Sequence, residues 1–242
     1  MTITKTVLTV LALFLLPLPV LANDLEDEKM AHDHGGQVFH AFRLETDIGR
    51  QRGEGVASWD LDGWVGTDVN KLWLKSEGDI EDGEIHEAEL WALYSRNVST
   101  FWDAQIGIRY DVEPEGHTFL ALGMSGLAPY FFETEAHLFI RDDGALSARL
   151  RQENEWLLTN KLILQPYVEV NLSGEDDPEL GIGSGLTSGK IGLQTRYEFS
   201  RKFAPYVDVS YEQTFGGTAD YARAHGEDPD TTMLSAGIRW LF

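Results

Sequence analysis

In the stretch FWDAQIGIRYDV, residues 101 to 112, the residues Trp102, Ala104, Ile106, Ile108, Tyr110 and Val112 alternate with Asp103, Gln105, Gly107, Arg109 and Asp111. A repeat of two describes a strand with one apolar and one polar face. The same alternation returns in YFFETEAHLFIR, LILQPYVEVNL, KIGLQTRYEF, FAPYVDVSYEQ and the final LSAGIRWLF. Each is about ten residues, the length at which a tilted strand crosses a bilayer. Twelve such segments are predicted, over residues 37 to 48, 56 to 65, 70 to 78, 85 to 96, 101 to 112, 117 to 127, 130 to 141, 145 to 157, 162 to 172, 189 to 199, 203 to 214 and 232 to 242. The second, third and sixth carry the weakest pattern, and ten strands is the alternative.

The connections sort by parity. NVST, LAP, TNK and SRK are short, whereas DVEPEG, SGEDDPELGIGSGLTSG and GGTADYARAHGEDPDT are longer and largely acidic. Short turns on one side and long loops on the other predict an all-β fold, a transmembrane antiparallel up-and-down β-barrel with both termini in the periplasm. A soluble barrel or sandwich also alternates, with its apolar face inward. Lipid on the outside is favoured by aromatic residues near strand ends on the apolar face: Trp102, Tyr110, Tyr130, Tyr197, Phe199, Tyr211, Trp240 and Phe242. Such girdles mark membrane interfaces. Phe242 is then expected at the periplasmic interface, where the last strand closes on the first.

The N-terminal end fits an export route. Lys5, the apolar run from Val7 to Leu21 broken by Pro17 and Pro19, and Val20-Leu21-Ala22 read as a signal peptide over residues 1–22. A short acidic leader, NDLEDEKMAHDHGG, spans residues 23–36, and the barrel spans residues 37–242. No later run of eighteen apolar residues occurs, so helical spans are not expected. With 40 acidic against 19 basic side chains and a net charge of −21, the chain is expected to attract cations and not nucleic acid. It has no cysteine, which excludes disulfides and thiolate metal sites.

Several long segments carry a family resemblance. GWVGTDVNKLWLKSEG, AELWALYSR, FWDAQIGIRYD, GLAPYFFE, LLTNKLILQPYVEVNLSGEDDPELGIGSGL and FAPYVDVSYEQTFGGTADYARAHGED resemble the copper resistance protein B family of proteobacterial outer-membrane proteins. The resemblance covers roughly residues 36 to 242. It implies a barrel in the cell outer membrane with a role in copper tolerance and copper binding. The partners it implies are outer-membrane lipid, copper ions and periplasmic copper-resistance proteins. One departure is the leader: many members carry a long one with repeated Met, Asp and His, whereas here it offers only Met30, His32 and His34.

Thioether and imidazole suit Cu(I), and imidazole with carboxylate suits Cu(II), so those three are candidate copper ligands. A second set is predicted on the lumen face of the seventh strand, where His137 is expected in the outer half beside Glu133 and Glu135, with His117 on a neighbouring strand. His86 and His225 are expected at outer strand ends or loops. Residues i and i+2 on a strand lie roughly 6.5 to 7 Å apart, so chelation there needs long side chains to converge. Many further charges of both signs fall on the polar face, among them Arg43, Lys75, Arg109, Arg149, Arg151, Glu89, Glu169 and Asp208. Ion pairing among them predicts a largely filled lumen and no wide pore.

Enzymatic motifs fare poorly. GIGSGLTSGK departs from a phosphate loop, since Lys190 is followed by Ile191 and Ser184 stands where the first glycine belongs. GEDDPELG and GEDPDTT lack the alternating ligand order of an EF-hand, and no G-x-S-x-G occurs. The expected function is copper resistance by binding or passing copper without redox or hydrolytic chemistry. The alternatives are a general cation-preferring channel and, from another class, a membrane-embedded lipid hydrolase.

Overall fold

The computed structural model describes residues 37–81 and 83–242. Among these residues a single sheet of antiparallel strands runs in chain order: β1 (Phe39–Gln51), β2 (Glu54–Gly66), β3 (Asn70–Glu81), β4 (Glu84–Ser99), β5 (Trp102–Glu113), β6 (His117–Ala128), β7 (Phe132–Arg141), β8 (Leu146–Glu153), β9 (Trp156–Leu157), β10 (Leu162–Ser173), β11 (Gly185–Tyr197), β12 (Phe203–Thr214) and β13 (Asp230–Leu241). β8 and β9 both pair with β10 and share one position, so the circuit has twelve places. It closes between β1 and β13, with Arg43 opposite Leu241 and Gln51 opposite Met233. Phe242 completes the seam, its N–H donating to the Phe42 carbonyl at 2.9 Å.

All twelve predicted segments are strands. The eighth is broken, and Pro166 supplies the reason. A proline has no N–H to give the ladder. Asn154 still donates its N–H to the Pro166 carbonyl at 3.1 Å, but regular pairing lapses there and resumes at Trp156. Two elements were not foreseen, and the first is a 3-10 turn over Pro129–Phe131, so that the seventh strand begins at Phe132 and not at Tyr130. The last outer loop holds the second, a helix, α1 (Gly216–His225), which ends on Gly226 in the left-handed conformation at φ 84°.

Burial settles which face meets lipid. The fully or nearly buried side chains include Ser95, Gln105, Arg109, His137, Gln165, Gln194, Arg196, Asp208, Ser210 and Arg239, whereas Ile106, Ile108, Leu120, Leu122, Leu138, Ile191, Leu193, Val207 and Val209 are exposed. This inverts a soluble protein, in which the apolar face is buried. The outward apolar band and closed circuit describe a barrel of the outer membrane. At the end holding the termini, Tyr197, Phe199, Phe203 and Trp240 form a chain of aromatic contacts with ring centroids 5.1 to 6.3 Å apart. Tyr110 and Tyr211 lie at the opposite ends of their strands. With the termini periplasmic, these are the two girdles.

The outward face generates a test. Ile108 is 54% exposed in the middle of β5, so Ile108→Arg places a charge near the bilayer midplane and should cost about 2–4 kcal/mol of folding free energy. Refolding into lipid vesicles, followed by heat-modifiable electrophoretic migration, measures it. Stability equal to that of the unsubstituted chain would mean that Ile108 does not face lipid.

Candidate functional site

Antiparallel register aligns a row of carboxylates along one wall of the barrel. Glu45 stands opposite Asp60, Asp60 opposite Glu77, Glu77 opposite Glu89, and Glu89 opposite Asp111, across five consecutive strands. Like charges directly opposite destabilise a sheet. Arginines answer them. Arg239 reaches Glu45 at 2.5 Å, Arg109 reaches Asp111 at 2.6 Å, and Arg149 spans the lumen from β8 to Glu77 at 2.5 Å and Glu89 at 2.9 Å. Arg151 stands 3.9 Å from Asp60 and 3.4 Å from Glu153.

This lattice divides the interior. An outer cavity of about 620 Å³ and an inner one of about 460 Å³ share the side chains Arg43, Asp60, Glu77, Arg149, Arg151 and Glu169 as common walls. Fifteen carboxylates and seven Arg or Lys side chains line the outer cavity, an excess of eight negative charges. The inner cavity has seven carboxylates against four basic groups, an excess of three. The outer mouth is partly capped by the loop over residues 174–184 and by α1, joined where the Gly183 N–H donates to Thr218 Oγ1 at 2.9 Å. Arg141 ties that cap to the β7–β8 turn through Asp143 and Asp177, both at 2.6 Å.

Hydrogen bonds from Arg141 hold the Asp143 carboxyl well below the usual carboxylate range. Partial burial pushes Asp177 upward, but bonds from Arg141 and the Leu180 N–H outweigh it and leave it lowered. A lowered folded-state value means the clamp is intact at neutral pH and is lost only as acid takes the pH through that lowered value.

The candidate ligands fall into three places. Met30, His32 and His34 lie outside the described residues. His117, at the outer end of β6, has a carboxylate beside each ring nitrogen: Asp142 at 3.2 Å from Nδ1 and Glu115 at 3.5 Å from Nε2. Glu133, Glu135 and His137 line the inner cavity together with Phe42, Trp64 and Leu241. The expectation that they sit in the outer half is therefore corrected. On the outer side of His137 lies an aromatic block of Trp91, Phe119 and Phe139, with the Arg109 guanidinium 4.3 Å from the Phe119 ring and 4.6 Å from the Phe139 ring. Phe139 faces the lumen between His137 and Arg141, as the period of two along β7 requires.

His117 and His137 are not brought together. His117 pairs with Asp111 and His137 with Gly123, so six residues of β6 separate them, roughly 20 Å at strand rise. His137 is 4% exposed and its Nε2–H donates to Gln105 Oε1 at 2.8 Å. A Cβ on Gly123 would lie 2.3 Å from its ring, so that glycine makes the imidazole's room. Glu135 is bound by Lys75 at 2.6 Å. Among the described residues, the histidine or carboxylate donor atoms that converge as a trio, all within 4.8 Å of one another, belong to Asp79, Glu81 and His86. His86 was noted in the sequence, but its partners were not. No histidine hydrogen bond among the described residues goes to a serine hydroxyl.

The lattice generates a prediction. Arg149→Met keeps the stem and removes the guanidinium that, of the three lining both cavities, pairs with Glu77 and Glu89, so single-channel conductance in planar bilayers should rise above that of the unsubstituted barrel. Equal conductance, with heat-modifiable folding retained, would show that Arg149 does not close the lumen.

Known proteins were compared with this geometry. A family model described as Copper resistance protein B precursor matches residues 38–242. A Copper resistance protein B homolog of Pseudomonas syringae pv. tomato is 45% identical over 186 residues, covering 76% of this chain and 63% of that protein. Copper resistance protein B of Escherichia coli is 43% identical over the same length and shares. The match thus spans less than two thirds of either relative. Among solved structures, the NanC porin is 10% identical with a TM-score of 0.58, covering 81% of this chain and 98% of its own. The KdgM porin is 9% identical with a TM-score of 0.52, covering 82% and 98%. Both are likenesses of fold.

Proposed function

This chain belongs to the copper resistance protein B family, and from that premise we propose that it contributes to copper resistance by binding copper ions at the outer membrane. The observation that carries the reading is the outer cavity, where fifteen carboxylates face seven basic groups. A cleft of one sign with low-dielectric walls concentrates ions of the other sign. The excess falls on the side that meets the medium, so cations gather there first. The Arg149 lattice beneath it obstructs passage, which favours retention over conduction. The chemistry is binding alone, and the chain acts without redox or hydrolytic turnover.

Acidity attracts every cation, so preference for copper needs softer or imidazole donors. Met30, His32 and His34 in the leader supply them on the periplasmic side, and histidines at the barrel's outer end supply them on the other. His137, hydrogen-bonded to Gln105 and enclosed by Trp91 and Phe139, contributes less than its sequence position suggested. Periplasmic copper-resistance proteins are the partners that a periplasmic leader would meet.

Growth in copper tests the reading. A strain lacking this chain should lose copper tolerance, and the unsubstituted gene should restore it. A version with Met30→Ala, His32→Ala and His34→Ala, still assembled as a heat-modifiable barrel, should restore it only in part. Equal rescue by both would remove the leader from the mechanism. Unchanged tolerance after deletion would overturn the copper reading and leave a general cation-preferring channel.

A further inference from the structure

The outer end of the β3–β4 hairpin carries an irregularity with a chemical consequence. Asp79 is opposite Glu87, but the next pair is Ile80 with Ile85, so His86 is an extra residue on β4. Such a bulge breaks the period of two and re-aims a side chain. Without it, His86 would pair with Ile80 on the lipid-facing side. With it, the imidazole lies in the trio with Asp79 and Glu81.

The donor atoms of the trio all lie within 4.8 Å of one another. His86 Nδ1 and Asp79 Oδ2 are 3.9 Å apart, beyond hydrogen-bonding distance. Two ligands at about 2.0 Å from one ion lie roughly 2.8 to 4.0 Å apart, depending on the angle between them. The His86 side chain is 63% exposed, so the imidazole is reachable from the medium. Asp79 also lines the outer cavity, opposite Glu87, and Gln51 Nε2 donates to Glu81 Oε1 at 3.5 Å. The arginines of the carboxylate row end one step below: among the described residues, the ring nitrogen of His86, 3.9 Å away, and no Lys or Arg, stands beside Asp79.

We propose that Asp79, Glu81 and His86 form a Cu(II) site at the outer rim, the first station for copper arriving from outside. This rests on the reading that the chain binds copper. One imidazole nitrogen and two carboxylate oxygens, completed by water, are a donor set that suits tetragonal Cu(II). The imidazole supplies the selectivity over calcium and magnesium that the surrounding acids lack. Arriving ions are drawn by the cavity's negative excess, and the trio holds those that accept nitrogen.

The experiment uses the untagged mature chain in detergent with Met30→Ala, His32→Ala and His34→Ala, so that the leader's donors are silent. Cu(II) titration with electron paramagnetic resonance should show one site with nitrogen splitting from a single imidazole. Adding His86→Ala should remove that splitting and weaken the site at least about tenfold, the lower end of what loss of an outer-shell partner alone costs. Asp79→Asn, a milder change, should weaken the site while keeping the nitrogen signal. An affinity and spectrum unchanged by both substitutions would overturn the site. If copper still binds the chain with its leader intact, only this inference falls. If copper binds neither form, the reading of the chain as a copper binder falls with it.

Discussion

The ion pairs that Arg149 makes across the lumen are the interaction on which the interior depends. A flat list of strand residues would count Glu45, Asp60, Glu77, Glu89 and Asp111 as ordinary lumen polars. Antiparallel register sets them side by side, and a row of facing carboxylates repels itself. Twelve places in the circuit make a barrel narrow enough for an arginine on β8 to reach the opposite wall, as Arg149 does at 2.5 Å and 2.9 Å. Ring size, register and charge therefore constrain one another. Removing one partner of such a buried set leaves the others uncompensated, which costs more than the pair contributes net.

The same lattice orders the function from outside to inside. Above it, carboxylates exceed basic groups and the wall attracts cations. At its level the charges are matched, with three arginines and three carboxylates lining both cavities. Below it, tryptophans, Lys75 and Glu135 form a quieter chamber toward the termini. On the proposed reading, a barrel built in this way collects and holds metal at its outer end. The porin-like fold supplies the wall, and the side chains that line it set the charge of the interior.

The period of two carried the fold into view because every strand has lipid on one face and polar groups on the other, and eleven-residue runs such as FAPYVDVSYEQ repeat that contrast without interruption. Features that break local periodicity were hidden. Pro166 splits the eighth position through a hydrogen bond it cannot donate, and the bulge at His86 moves one imidazole to another face. The helix over Gly216–His225 was masked by the glycines at its start and by its short length, although Gly226 just beyond it is a C-cap signal. Contacts between distant strands were also out of reach. Nothing in the spacing of Glu77 and Arg149, 72 residues apart, links them, and nothing local shows that Trp91 packs against His137 and Phe139 of another strand. The candidate site was thus legible as a list of donors, but not as a set of distances.

Equilibrium dialysis of the untagged mature protein against copper, in the presence of a large excess of calcium, tests the central claim most directly. Carboxylates alone are satisfied by calcium, whereas imidazole and thioether are not. The account predicts saturable copper retention that calcium leaves largely in place. Copper displaced in proportion to calcium, or no copper retained at all, would contradict it.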